Sequence, residues 1–399
     1  MDQPEPTPAR RPQRHSWRRL ARGVLVGLAA LALVAGLVEL RAPQLLVLAS
    51  EGFPGATWPA SGDFALVEGA EVPADPAPGA SPPEAALVRL AASNGRALLM
   101  ERGGVLLAEA YGPGLGRDTP LNSYSMVKSL VGALTLRAIA DGHIAGLDVA
   151  LRDLLGPEAP DVTVGEALAM RSGLVLPAEP PKTGAVPLDD AGFSPLGPLA
   201  RLHAYGIEAV MGDMRVDKGM RGELHYQSAN TALLGLAVER AYGRPLPELL
   251  SEMIWAPAGA ADAHWRRTPG GGDVSAYCCL YARPLDWLKV SRFLLDNGTP
   301  GAPFLPDTLW HAFLLPDLDP EARRAGAYGL HLRHDVLDRE GEALHGSFAY
   351  FMGLRGQVVY LLPEQDLVVV RFGGEAQLLH STLYELAPAS PARTLTAPE

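Results

Sequence analysis

Apolar positions along the chain fall into three regimes. From Gly23 to Val38 they run uninterrupted, just after Arg10, Arg11, Arg14, Arg18, Arg19 and Arg22. In the middle of the chain they recur at helical spacing. Val127, Leu130, Val131, Leu134 and Ile139 form one stripe that stops at Asp141-Gly142, and Thr231 to Tyr242, Leu246 to Ile254 and Trp287 to Leu295 form others. Toward the carboxyl end the period shortens, with brief apolar runs at Tyr328 to Leu332, Phe348 to Met352, Gln357 to Leu362 and Leu367 to Phe372, separated by turn residues. Val358 to Leu362 and Leu367 to Val370 are continuously apolar, so both faces of their sheet are expected to be covered by helices, one of them within Gln377 to Leu386. Two early runs, Arg96 to Glu101 and Val105 to Tyr111, meet at Gly103-Gly104, which predicts a hairpin. The fold class this implies is α+β: an antiparallel sheet closed by both chain ends, flanked by helices, with a helical or irregular insertion over residues 177 to 222.

The same pattern divides the chain. Residues 1–22 read as a basic tail and 23–40 as a transmembrane anchor in preference to the alternative, a cleavable signal, since the apolar run is followed by Glu39-Leu40-Arg41-Ala42-Pro43 and not by the small residues of a cleavage site. The arginines keep the amino terminus cytoplasmic, which in a bacterium predicts a single pass through the inner membrane and a periplasmic remainder. Residues 41–83, rich in Pro, Gly and Ala, read as a spacer. The folded domain is expected over 84–386, so that a chain starting near Pro82 keeps the site, and residues 387–399 read as a disordered tail.

Charge narrows the partners. A formal net charge of −11 argues against nucleic acid, whose phosphates demand a basic face. With only four lysines among 34 basic residues, each lysine is informative. The two cysteines, Cys278 and Cys279, are adjacent, a spacing that rarely suits a disulfide, and read as two small buried residues. His331 and His334 lie three apart, but Arg333 and Asp335 around them suggest an exposed segment. Neither a metal site nor a cofactor is expected.

One short motif carries chemistry. Ser125 precedes Lys128 by three residues at the start of the helical stripe, so both face one side, and the amine can take the hydroxyl's proton. In the first turn, unpaired N–H groups and the helix dipole favour a developing oxyanion. With 17 serines and four lysines, S-x-x-K arises by chance about 0.17 times in this chain, so the motif needs support.

That support is a resemblance covering about residues 84 to 386. Ser125-x-x-Lys128, the Met170-Arg-Ser-Gly-Leu174 segment, Tyr226 with Leu234-Gly235 after it, and Gly353-Leu-Arg-Gly356-Gln357 before a strand ending in Pro363-Glu364 occur in order. Together they resemble the serine β-lactamase and penicillin-binding-protein superfamily, in its branch with class C β-lactamases, carboxylesterases and 6-aminohexanoate-dimer hydrolases. The resemblance implies Ser125 as nucleophile, Lys128 as base and Tyr226 as the proton shuttle to the leaving group. It also implies an oxyanion hole from the N–H groups of Ser125 and Leu354, beside Gly353. Two positions depart from the pattern. Ser228 stands where the second motif has asparagine, which comes only at Asn230. Phe351 stands where the third motif has a cation, and Arg355 is the residue expected to replace it, with Gln357 ending the turn. The function implied is a membrane-anchored serine hydrolase acting on a small-molecule amide or ester, with esters or amides preferred to β-lactams because Phe351 offers nothing to a β-lactam carboxylate. The alternative is a binding or regulatory protein of the cell envelope that keeps the fold without the turnover.

Overall fold

The computed structural model describes residues 14–51, 62–73, 81–176, 194–324, 326–336, 346–375 and 380–386. The expected tail at 387–399, the first 13 residues and parts of the expected spacer and insertion lie outside these. Helix α1 (Arg14–Arg41) carries the long apolar run. Its Leu20–Arg41 stretch of 22 residues contains an 18-residue window of mean hydropathy 2.3, with none of that window buried in the protein, and is long and apolar enough to cross a membrane.

The described part of the expected spacer belongs to the fold. Helix α2 (Gln44–Glu51) buries Gln44, Leu48 and Glu51, and strand β1 (Asp63–Val67) is paired along its whole length. Neither was legible, because α2 is short and β1 earns its place only by pairing with a strand some two hundred residues away.

Past helix α3 (Glu84–Ala92), strands β2 (Ala97–Arg102) and β3 (Val105–Tyr111) form the predicted hairpin. Gly103 and Gly104 take φ of 56° and 82°, which the central pair of such a loop requires and glycine adopts without a Cβ clash. A short strand β4 (Leu121–Asn122) leads to helix α4 (Val127–Ala140). The middle region supplies α5 (Pro198–Tyr205), α6 (Ser228–Tyr242), β5 (Ala263–Arg267), β6 (Leu280–Ala282) and α7 (Pro284–Leu295). Strands β7 (Ala327–Gly329), β8 (Leu332–Val336), β9 (Ser347–Gly353), β10 (Gln357–Leu362) and β11 (Leu367–Phe372) and helix α8 (Ser381–Leu386) complete it.

The main sheet is antiparallel in the order β7-β8-β9-β10-β11-β2-β3, closed by the two ends of the domain as the sequence predicts. Both faces are covered. On one, Leu99, Phe351, Val359, Leu361, Val368 and Val370 join the large core made by α4, α6 and α7. On the other, Leu98, Tyr350, Tyr360 and Val369 meet Ala86 and Leu90 of α3 and Leu383 and Leu386 of α8.

Three readings need correction. The run Tyr328 to Leu332 is not one strand: Leu330 and His331 take positive φ and bend it into the β7–β8 hairpin. The segment around His331 and His334 is buried, not exposed. Several of its polar groups are met from far along the chain: His331 lies 2.9 Å from both Thr231 Oγ1 and Leu168 O, and His380 lies 3.1 Å from Asp335, whereas His334 Nδ1 has no hydrogen-bond partner among the described residues. Cys278 and Cys279 are disulfide-bonded to each other where the chain bends, Cys279 having φ 68°. A second sheet, β1-β5-β6-β4, had no periodic signature because β5 reads Ala-His-Trp-Arg-Arg.

Candidate active site

The site forms where a strained bend delivers Ser125 to the start of α4. Tyr124 sits at φ 45°, a region a bulky residue enters at a cost of about 1–3 kcal/mol. The surroundings hold it there. Tyr124 N donates to Asn122 Oδ1 at 2.8 Å, Cys279 N donates to Tyr124 O at 3.3 Å, and Ser123 Oγ accepts from Leu280 N at 3.2 Å. The bend thus ties β4 to β6 and leaves Ser125 half-buried in a single 3₁₀ turn, Tyr124–Met126, just ahead of α4. The sequence places Ser125 one step later, inside the helix.

Lys128 is one turn on, 2% exposed. Its Nζ lies 2.7 Å from Ser125 Oγ and 2.7 Å from Tyr277 O, so serine and lysine meet as their spacing predicts. The same nitrogen stands 5.1 Å from the ring centre of Tyr226, delivered by the segment just before α6. Burial pulls the Lys128 amine below its ordinary value; Tyr226 opposes this and the positive charge of Arg333 adds to it. Tyr226 is the mirror case. Burial pushes the phenol up, but the charges of Lys128 and Arg333, with hydrogen bonds to Ser125 and Lys128, outweigh it and bring the phenol below the ordinary tyrosine value. A hydroxyl, an amine that gives up its proton readily and an acidified phenol are a set suited to moving one proton between two oxygens.

The turn after β9 forms the opposite wall. A Cβ on Gly353 would fall 2.3 Å from Ser123 O and 3.3 Å from Ser125 N, so only glycine lets this strand close on the serine turn. That approach sets the turn that begins with Leu354 immediately after the residue packed on the serine turn. Gln357 faces inward as a clamp: its Nε2 donates to Leu354 O at 3.0 Å and Gly373 O at 2.8 Å, and its Oε1 accepts from Gly373 N at 2.9 Å. Asn230 is likewise engaged, accepting from Ser172 Oγ at 2.6 Å, which joins the Ser-Gly-Leu segment to α6. Ser228 is half-buried at the first position of α6. Phe351 points into the core, and Arg355, at φ 64°, is exposed and lies on the side of Tyr124.

Three participants had no motif. Tyr277 offers a carbonyl to Lys128, and Tyr328 meets Tyr226 edge to face with ring centres 6.0 Å apart. Arg333 lies 5.5 Å from both of those rings. The one available signal for Arg333 was indirect: a third motif without a lysine, in a chain that uses arginine for most of its cations. Among the described residues no group of three or more His, Cys, Asp or Glu is placed to hold a metal ion.

The antiparallel sheet covered by helices on both faces, with Ser125 and Lys128 at the start of α4, is the architecture of the beta-lactamase fold. The chain belongs to the beta-lactamase family, whose model matches residues 84–373. Solved structures with this fold include a Bacillus anthracis protein assigned as a 6-aminohexanoate-dimer hydrolase. It is 16% identical, with a TM-score of 0.65 over 81% of this chain and 88% of that one. A class C beta lactamase from Rhodobacter sphaeroides is 13% identical, with a TM-score of 0.53 over 76% and 98%. A D-stereospecific amidohydrolase from Streptomyces sp. is 16% identical, with a TM-score of 0.55 over 76% and 96%. At these identities the likeness is one of fold. A search of curated proteins finds no match.

Proposed function

We propose that this protein is a membrane-anchored serine hydrolase that cleaves a small amide or ester through an acyl-enzyme on Ser125. The observation that carries the reading is the 2.7 Å contact between Ser125 Oγ and the buried Lys128 amine. In the proposed reaction Ser125 Oγ attacks the substrate carbonyl while its proton passes to neutral Lys128, and the oxyanion is met by the N–H groups of Ser125 and Leu354. Tyr226 gives its proton to the leaving group as the carbonyl–leaving-group bond breaks, and recovers one from Lys128. Water then attacks the acyl-enzyme by the reverse path and frees Ser125. Small esters or amides are proposed over β-lactams, because Phe351 is turned away from the site and Arg333 already faces two tyrosine rings.

Replacing Ser125 by alanine tests the reading. The Ser125→Ala protein is expected to melt like the wild type, to lose hydrolysis of a short-chain nitrophenyl ester, and to escape labelling by a fluorophosphonate. Retained turnover in that variant refutes the mechanism, and labelling without turnover in the wild type favours a binding protein.

Anchoring is proposed from α1, and its orientation from the arginines that precede the apolar run. A reporter fused after residue 60 and active in the cytoplasm would reverse that orientation.

A further inference from the structure

Tyr226 is flanked by two cations from different parts of the fold. Lys128 approaches its ring from α4 at 5.1 Å, and the guanidinium of Arg333 approaches from β8 at 5.5 Å. Arg333 is held in place by its neighbours. It is 7% exposed, and its backbone is in register with Tyr328 of β7 on one side and Tyr350 of β9 on the other. Its guanidinium also stands 5.5 Å from the Tyr328 ring and is hydrogen-bonded with Tyr350. Among the described residues, the polar and charged groups that face Tyr226 are Ser125 from the 3₁₀ turn, Lys128 from α4, Tyr328 from β7 and Arg333 from β8. No carboxylate is among those neighbours.

A fixed positive charge beside a phenol favours the state in which the phenol has given its proton away. We propose that Arg333 is the fixed cation of the site and a positioning residue for hydrolysis, acting through Tyr226 to favour transfer of the phenol's proton to the leaving group. The charge missing at Phe351 is thus supplied from the neighbouring strand and not by Arg355, which is exposed on the side of Tyr124. The inference rests on the reading of Tyr226 as proton donor.

The nature of the leaving group provides the test. A nitrophenolate leaves without a proton, whereas an alkoxide needs one, so a nitrophenyl ester and an alkyl ester of the same acid share an acyl-enzyme and differ in their demand on Tyr226. Full-length protein in detergent is assayed on both, and kcat/KM is compared at the maximum of each protein's pH profile, where Lys128 is neutral and Tyr226 still holds its proton. Arg333→Met is expected to lose about 10²-fold on the alkyl ester and less than about tenfold on the nitrophenyl ester, the scale of one acid–base contribution. Its activity should also begin at higher pH, because Lys128 without a neighbouring cation keeps its proton longer. Arg333→Lys should keep the ratio between the substrates within about threefold. Equal losses on the two esters, or none, overturn the inference. If the methionine variant does not fold, the lysine variant decides: a preserved ratio supports a role for the charge, and a ratio lowered about tenfold or more overturns it. Ser125 labelling separates the two failures, since equal losses with labelling intact remove the role of Arg333 alone, and a wild type that is not labelled removes the reading of the site.

Discussion

Glu51 lies ten residues beyond the end of the candidate membrane helix, and replacing it by alanine should unsettle the hydrolase domain. Its carboxylate grips Arg266 with both oxygens, Oε1 to Nη2 at 2.8 Å and Oε2 to Nε at 3.2 Å. Arg266 has no exposed surface, and its remaining bonds run to His203 O at 2.7 Å and Ser275 Oγ at 3.0 Å. Truncating Glu51 leaves that guanidinium buried among neutral groups, and breaking a buried pair from one side costs about 3–5 kcal/mol. At roughly 2 °C per kcal/mol for a large domain, the melting temperature of detergent-solubilised protein should fall by roughly 6–10 °C. The double variant Glu51→Leu with Arg266→Met should recover much of the loss, because it buries no lone charge. A Glu51→Ala protein melting within about 2 °C of the wild type would refute the argument, since that is less than the cost of 1 kcal/mol or so.

Acidity probes the same cluster. Burial pushes the Glu51 carboxyl up, but its contacts with His203 and Arg266 outweigh that and hold it below its ordinary value. The stability it contributes is present above the unfolded carboxylate range and is lost as pH falls through the lower folded value. Burial brings His203 down to about 4. Between about 6.5 and 4 the unfolded chain therefore binds a proton that the folded one refuses, and stability falls with pH across that window. Melting curves from pH 8 to pH 4 should show a progressive decline, and a flat profile between pH 7 and pH 5 would contradict it.

Three further outcomes follow from the geometry. Lys128→Ala and Tyr226→Phe should each lower kcat on an alkyl ester by about 10²-fold or more, and near-wild-type rates for Tyr226→Phe would mean that another group protonates the leaving atom. Gly353→Ala, at a φ of −120° that any residue adopts, should still destabilise by about 1–3 kcal/mol and depress activity, because its methyl would overlap Ser123 O. Unchanged kinetics there would show that the β9 turn can retreat from Ser125 without consequence. A chain beginning near Pro82 loses α2 and β1, and with them the partner of Arg266 and the edge of the second sheet. It should express poorly or unfold, in contrast to what the spacer-like composition suggests, and a soluble active fragment would show that the second sheet holds without its edge strand.

What the sequence determined by itself is local or periodic. The Gly103-Gly104 loop, the stripe of α4 with Ser125 and Lys128 at its start, and the late strands were legible because a 3.6-residue or short apolar period and a glycine pair each encode their own geometry. Only the tertiary structure decided which polar residues are buried and whom they meet. Glu51 lies within the stretch read as a spacer, and nothing near Arg266 in the sequence marks it as buried, until a separation of 215 residues closes and each satisfies the other. His331, Arg333 and Asp335 looked exposed for the same reason: a polar side chain is read as solvated unless its partner is known, and these partners lie on α6, on β7 and β9, and beside α8. The chemistry at Ser125 was therefore visible as a spacing. The charge beside Tyr226 was not, because it arrives from another strand, and strand register is set by pairing across the sheet and leaves no local mark on the residues it brings together.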